Sequence, residues 1–333
     1  MSTDKKVAIE AHRLSKSFGS AKAVEDLDLT VYAGEAFGLL GPNGAGKTTT
    51  LRMLLTLLRP TSGTAKIFGC DIVQQARDAR RLIGYVPQEK SVDRFMTGRE
   101  HLKLIASLYH LSGQEAKMRI QEILKLVELE EKADELVRNY SGGMKRKLDI
   151  ACGLIPHPKL MFMDEPSLGL DVQSRLRIWD HIRGLRAQGI TILMSTNYLE
   201  EADQLCDRLA IIDGGKVKAI GSPLELKKGL GEDRILIELG QVAPSSLKEL
   251  IEAIRKFEFV REIQEGPHSL EIWIKPQQDA FTTLFQKVGN GHYPVEAIHY
   301  MRPSLEEVFI RHTGHKIEES PSNQGDSSTR AEN

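Results

Sequence analysis

The run Gly41-Pro42-Asn43-Gly44-Ala45-Gly46-Lys47-Thr48 sets glycines, a lysine and a hydroxyl at the GxxxxGK[ST] spacing. Glycines let backbone N–H groups turn onto phosphate oxygens without obstruction by a Cβ. Those donors open a helix, whose dipole favours an anion at its N-terminus. In that geometry Lys47 would reach β- and γ-phosphates, and the Thr48 hydroxyl would ligate Mg²⁺. The alternative, an ordinary Gly-rich turn between strand and helix, gives no reason for Lys47. A second feature is Lys159–Glu165 (KLMFMDE), an apolar run ending in two acids. Ligands in parallel sheets lie beyond the strand C-termini, so Asp164 is placed to hold Mg²⁺ and Glu165 to orient and deprotonate an attacking water. Alone, the pair could equally cap the next helix; beside a phosphate loop it reads as chemistry. Ser141-Gly142-Gly143 leads into a helix expected over Met144–Leu154, with Ser141 as N-cap, and the same free helix end would suit a second anion.

These groups need a scaffold that brings distant segments to one edge. Val7–Glu10 and Ala23–Val31 alternate like strands of a half-exposed sheet. Ala36–Leu40 is a short buried-type strand running into the glycine loop and a helix expected over Lys47–Leu58. Further apolar runs at Leu82–Val86, Leu160–Met163, Ile190–Met194 and Leu209–Ile212, mostly separated by helical patterns, imply a parallel α/β sheet covered on both faces. Between about residues 89 and 155 the pattern turns helical (Thr97–His110, Gln114–Val127, Lys132–Val137), as expected of a helical insertion. The loop Lys90–Met96 carries Phe95 and Met96 in polar surroundings, either as core anchors or as a docking surface.

The expected division is an α/β domain over 7–230 and a C-terminal domain over 233–315. From Arg234 the order strand, helix, strand, strand, helix, strand fits a small ferredoxin-like α+β domain. The tail over 316–333 is too polar to pack and reads as disordered.

The chain has 333 residues, enough for roughly two domains, and its 41% apolar content supports a substantial core. Lysine plus arginine is 45 against 46 acidic residues, a net charge of −1 that argues against a nucleic-acid partner. The basic run Lys145–Lys147 reads as a solvated helix face. Three cysteines without a CxxC pair exclude a disulfide scaffold or a Cys-rich zinc site and suit a reducing compartment. No run approaches the roughly 18 apolar residues of a spanning helix, and MSTDKKVAIEAHR has no signal-peptide core. The expectation is a cytoplasmic protein that meets a membrane only through a partner.

Taken in order, the phosphate loop, Gln88 in Tyr85-Val86-Pro87-Gln88, Tyr140-Ser141-Gly142-Gly143-Met144, Asp164-Glu165 and Gly169-Leu170-Asp171 resemble the ATP-binding cassette (ABC) family, over about Val7 to Leu226. Thr196-Asn197-Tyr198-Leu199-Glu200-Glu201-Ala202 and the ending Pro303-Ser304-Leu305-Glu306-Glu307-Val308-Phe309 look most like ATPase subunits of daunorubicin-resistance exporters. The resemblance implies an ATPase using ATP and Mg²⁺. Residues Gly41 to Thr48 with Thr49 would bind nucleotide, and Phe18 would stack on adenine if it is not a core residue. Thr48, Asp164 and Gln88 would serve the metal, with Gln88 also sensing the γ-phosphate. Ser141, Gly142 and Gly143 would close over ATP held by a second copy, and Asp171 would lie at the dimer contact. An integral membrane permease subunit would be the other partner, with the chain peripheral on the cytoplasmic face of the membrane. Two positions depart from the pattern. Met144 stands where glutamine is usual, and Asn197 replaces a histidine that contacts the γ-phosphate and steadies the catalytic acid; Asn keeps a donor but loses the titratable ring.

Overall fold

The computed structural model describes residues 5–89, 91–230, 233–240, 242–275, 279–289 and 293–317; Lys90 and the polar tail from Glu318 lie outside the described residues. The chain forms two compact units. One comprises the described residues up to Pro223 together with those from His315, the other Leu224–Gly314.

The first unit begins with two long strands, β1 (Val7–Phe18) and β2 (Ala21–Tyr32), each extending beyond the stretch that alternation marks. β3 (Ala36–Leu40) and α1 (Lys47–Leu54) follow, then β4 (Ser62–Ile67), β5 (Cys70–Asp71), α2 (Ala76–Arg80) and β6 (Ile83–Val86). The helix α1 stops four residues short of Leu58. Thr56 takes φ 62°, a left-handed conformation that ends the helix, and the amides of Leu57 and Leu58 turn back to the Arg52 carbonyl. A four-stranded antiparallel sheet, ordered β2-β1-β4-β5, packs Ile9, Leu14, Leu27 and Ile67 into a core shared with Phe37, Leu51 and Phe162.

Next come α3 (Gly98–Leu108) and α4 (Gly113–Leu126), each opened by a reciprocal capping box, Thr97 with Glu100 and Ser112 with Glu115. The helix expected over Lys132–Val137 is absent. Two 3₁₀ turns at Glu130–Lys132 and Val137–Asn139 flank a turn that ends in an isolated bridge from Leu136 to Thr97 instead. Ala133 and Glu135 keep local bonds to Glu130 and Lys132, while Val137 and Arg138 give their amides to Met96 and Arg94 in the loop before α3, and Ala133 accepts from Arg99 in its first turn.

The rest of the unit is α5 (Gly142–Leu154), β7 (Leu160–Asp164), α6 (Val172–Ala187), β8 (Thr191–Thr196), α7 (Leu199–Leu205), β9 (Arg208–Asp213) and β10 (Lys216–Gly221). The six-stranded sheet runs β10-β9-β3-β8-β7-β6, parallel from β9 to β6 with β10 antiparallel at the edge. Every residue of β3, β7 and β8 is buried, as a sheet covered on both faces requires. This is the parallel α/β architecture that the apolar runs imply. Register does the positioning: Leu40 lies opposite Thr196 and Asp164 opposite Ser195. Three strands therefore end level, and the residues after them leave from one edge.

α8 (Pro223–Lys228) leads into β11 (Asp233–Leu239), α9 (Pro244–Arg255), β12 (Val260–Gly266), β13 (Ser269–Ile274), α10 (Ala280–Gly289), β14 (Val295–Met301) and α11 (Leu305–Thr313). The sheet is antiparallel in the order β12-β13-β11-β14. Alternate residues Ile235, Ile237, Leu270, Ile272 and Ile274 face the helices through Leu250, Ile254 and Leu284.

Candidate active site

The phosphate loop is shaped by close approach. A Cβ on Gly41 would stand 2.2 Å from the Ile212 carbonyl oxygen. At Gly46 a Cβ would meet the Ala23 oxygen at 2.5 Å, and its φ of +101° is a conformation glycine tolerates. Gly46 turns the chain into α1, whose first turn carries no acidic residue and no side-chain cap. Its open amides face a cavity of about 340 Å³ lined by Ala23, the loop from Pro42 to Thr49, Gln88 and Glu165.

Lys47 is buried, and its Nζ donates to the carbonyls of Gly41 at 2.7 Å and Pro42 at 3.0 Å, with Glu165 Oε1 at 3.8 Å. Burial pulls its pKa below the ordinary lysine value, and the charges of Glu165 and Asp164 oppose that shift. Burial likewise raises the Glu165 carboxyl above the usual range, against the opposing pull of Lys47, while Asp164 adds to the rise. Gln88 Nε2 donates to Glu165 Oε2 at 3.0 Å. Thr48 Oγ1 donates to Asp164 Oδ1 at 3.3 Å, and the Ser195 hydroxyl donates to the same oxygen. Glu165 adopts φ 46°, with its amide bonded to Ser195 O at 3.0 Å and Ser195 Oγ at 3.2 Å. Strained backbone of this kind persists only where its surroundings over-determine it.

Ser141 caps α5 by accepting from the Met144 amide at 3.2 Å. The helix therefore opens at Gly142, two residues earlier than its apolar pattern suggests. Gly143 packs so closely on α6 that a Cβ would meet Ser174 Oγ at 2.9 Å. Ser174 gives its amide and hydroxyl to the exposed Asp171, whose carboxyl those bonds hold below the usual range. A hollow of about 250 Å³ beside Ser141 and Gly143 takes Lys147, Ser174 and Arg177 among its walls.

Other sequence candidates lie elsewhere. Phe18 is 53% exposed, with Lys16 Nζ 5.2 Å from its ring centre, so it is no core residue, and it does not line the cavity. Asn197 leaves the same strand edge but is fully buried and is not brought to the cavity wall. Phe95 is 69% exposed, which removes the core-anchor reading for it. The solvated-face reading of Lys145–Lys147 is wrong for two of its three residues, since Arg146 is 4% and Lys147 9% exposed. Lys147 pairs with Glu128 at 2.8 Å. Arg146 reaches the main chain beside Glu165.

Sequence reasoning also passed over Ala23, Ser195 and Glu201. The signal for Ser195 was its place at a strand's C-terminal end, where parallel sheets present ligand groups. Glu201 is fully buried, accepting from Ser167 Oγ at 2.6 Å and Trp179 Nε1 at 3.0 Å, so it ties α7 to the segment after Glu165.

Residues 24–168 match the family described as ABC transporter, and residues 221–313 match the C-terminal domain described as ATP-binding protein DrrA1-3-like. The chain is 40% identical over 320 residues to the daunorubicin/doxorubicin resistance ATP-binding protein DrrA of Streptomyces peucetius, covering 96% of each. It is 38% identical to the Nod factor export ATP-binding protein I of Burkholderia lata, covering 93% of this chain and 98% of that one. Among solved structures, the ATP-binding subunit of an ABC transporter matches with TM-score 0.60 and 32% identity over 67% of this chain and 93% of that one. The dimeric post-hydrolysis cassette MJ0796 bound to ADP and Pi matches with TM-score 0.58 and 26% identity, over 64% and 98%. With a strand-edge site of this geometry and relatives matched along nearly their whole length, the chain belongs to the ATP-binding proteins of ABC transporters, in the group with a DrrA-like C-terminal domain.

Proposed function

We propose that the chain is the ATP-hydrolysing subunit of an export system, working as a pair of copies with a separate membrane permease. The carrying observation is the convergence of Lys47, Thr48, Gln88 and Glu165 on the cavity at the N-terminus of α1, with Asp164 bonded to Thr48. On this reading Lys47 leaves the Gly41 and Pro42 carbonyls for the β- and γ-phosphate oxygens, while amides of residues 44–49 hold the rest of the chain of phosphates. The Thr48 hydroxyl and Asp164 carboxylate are hard oxygen donors side by side, which suits Mg²⁺ completed by phosphate and water. That ion supplies charge neutralisation to the phosphates when bound. Glu165 takes the proton of the attacking water at Oε1 or Oε2, and Gln88 holds Oε2 in place through its amide. Phe18 offers its exposed ring to adenine, and Asn197 takes the place of a γ-phosphate donor.

Ser141, Gly142 and Gly143 stand at the free N-terminus of another helix, α5, and offer donors to the γ-phosphate held by a second copy. Asp171 lies at the contact between copies. ATP rather than ADP closes such a pair, because only the γ-phosphate is shared by both chains. The exposed Phe95 with Met96, downstream of Gln88, docks on the permease. No helix among the described residues is long and apolar enough to cross a membrane, and the chain acts peripherally on the cytoplasmic face. Labelled ATP with magnesium tests the reading: the wild type retains nucleotide, and Lys47→Ala weakens retention at least about tenfold, as loss of a charge-assisted contact requires. Equal retention by the two proteins contradicts it.

A further inference from the structure

Arg146 sits one turn into α5, the helix capped by Ser141, and its buried guanidinium meets four main-chain oxygens. Nε donates to Pro166 O at 2.6 Å, Nη2 to Asp164 O at 3.0 Å and Glu165 O at 2.9 Å, and Nη1 to Pro87 O. One turn further along, buried Asp149 lies 4.0 Å from Arg146 Nη1 and accepts from Ser91 Oγ at 2.6 Å and Ser91 N at 3.3 Å. One face of α5 therefore grips residues 87–91 at both ends, with Gln88 between the grips. The same guanidinium grips residues 164–166, with Glu165 in the middle and in its left-handed conformation.

We propose that Arg146 is a positioning residue through which α5 sets Gln88 against Glu165. This deepens the proposed function and rests on it. A guanidinium is flat and carries five donors in fixed directions, so it can serve several diverging carbonyls at once; a lysine ammonium cannot span them. All four acceptors are backbone atoms. Displacing the guanidinium therefore moves the main chain that carries both side chains, without touching either of them.

The test uses the full-length chain with Arg146→Lys, Arg146→Gln and Ser91→Ala. Two measurements are needed: backbone amide exchange without nucleotide, and turnover together with nucleotide affinity. The expected result for the Arg146 variants is faster exchange confined to the amides of Gln88, Glu89, Ser91, Asp164, Glu165 and Ser167. Turnover should fall about tenfold or more while ATP affinity stays within about threefold, the pattern of lost positioning rather than lost binding. Ser91→Ala, at an exposed loop position, should show the same pattern in weaker form, and it decides the matter if both Arg146 variants fail to fold. Unchanged turnover, or a fall matched by equal loss of affinity and exchange raised throughout the chain, overturns the positioning role. A wild type that retains no nucleotide instead overturns the proposed function, and the role with it.

Discussion

Gln88 and Glu165, 77 residues apart in the chain, share a 3.0 Å hydrogen bond at the mouth of the phosphate cavity. Their strands explain it. β6 and β7 pair in parallel with Val86 opposite Met163, so the segments leaving both strands emerge side by side. Gln88 is thereby a reporter on the carboxylate expected to receive the proton from water.

Because burial raises the Glu165 carboxyl, its acid limb should stand above the ordinary 4.5. The free-protein profile, kcat/KM for Mg-ATP against pH, reads this group. Falling pH protonates Glu165, removes the base and lowers kcat/KM, with the midpoint displaced upward. A midpoint at or below 4.5 would exclude Glu165 as the titrating base.

On the proposed role, in which a longer imidazole reaches past the cavity wall that Asn197 does not line, Asn197→His should raise turnover by supplying a ring donor to the γ-phosphate. Asn197 is fully buried, so the larger ring also overpacks its site, at a cost of ~1–3 kcal/mol. Higher turnover with a lower melting temperature is the expected pair of results. Unchanged turnover would remove Asn197 from the hydrolytic machinery.

The fully buried Glu201 predicts a pH-dependent gain on neutralisation. Burial raises its carboxyl pKa, so the folded chain holds a proton that the unfolded chain releases above about 4.5. Stability from this group is present at low pH and is lost as pH rises through the raised value. Glu201→Gln keeps an oxygen for Ser167 and Trp179 but carries no charge. Its melting temperature should exceed that of the wild type at pH 8 by roughly 2–5 °C, with a smaller margin at pH 5. Lower stability at pH 8 would contradict the account of this network.

Much of the site is readable from local chemistry. The glycines of the phosphate loop answer to backbone approach, as at Gly41 and Gly46, and their spacing is visible in the sequence. The strands β3, β7 and β8 show as short unbroken apolar runs because both their faces are covered. By contrast, residues 132–137 carry a helical pattern, but Val137 gives its amide to Met96 and Ala133 accepts from Arg99, a tertiary choice that periodicity does not record. β4, Ser-Gly-Thr-Ala-Lys-Ile, is a strand because β1 and β5 pair with it on either side. Arg146 misled for the same reason: nothing local to Lys-Arg-Lys tells that four carbonyls await one of its cations. In the C-terminal unit, burial at every second residue of β11 and β13 follows the alternation in their sequences.

The central claim is that ATP joins two copies, each completing the other's site. Light scattering on Glu165→Gln, which keeps the site's shape but removes the base, tests it most directly. With Mg-ATP the account predicts a particle of two 37.2 kDa chains, and with Mg-ADP a single chain. A single chain in both conditions, even with the permease present, would contradict it.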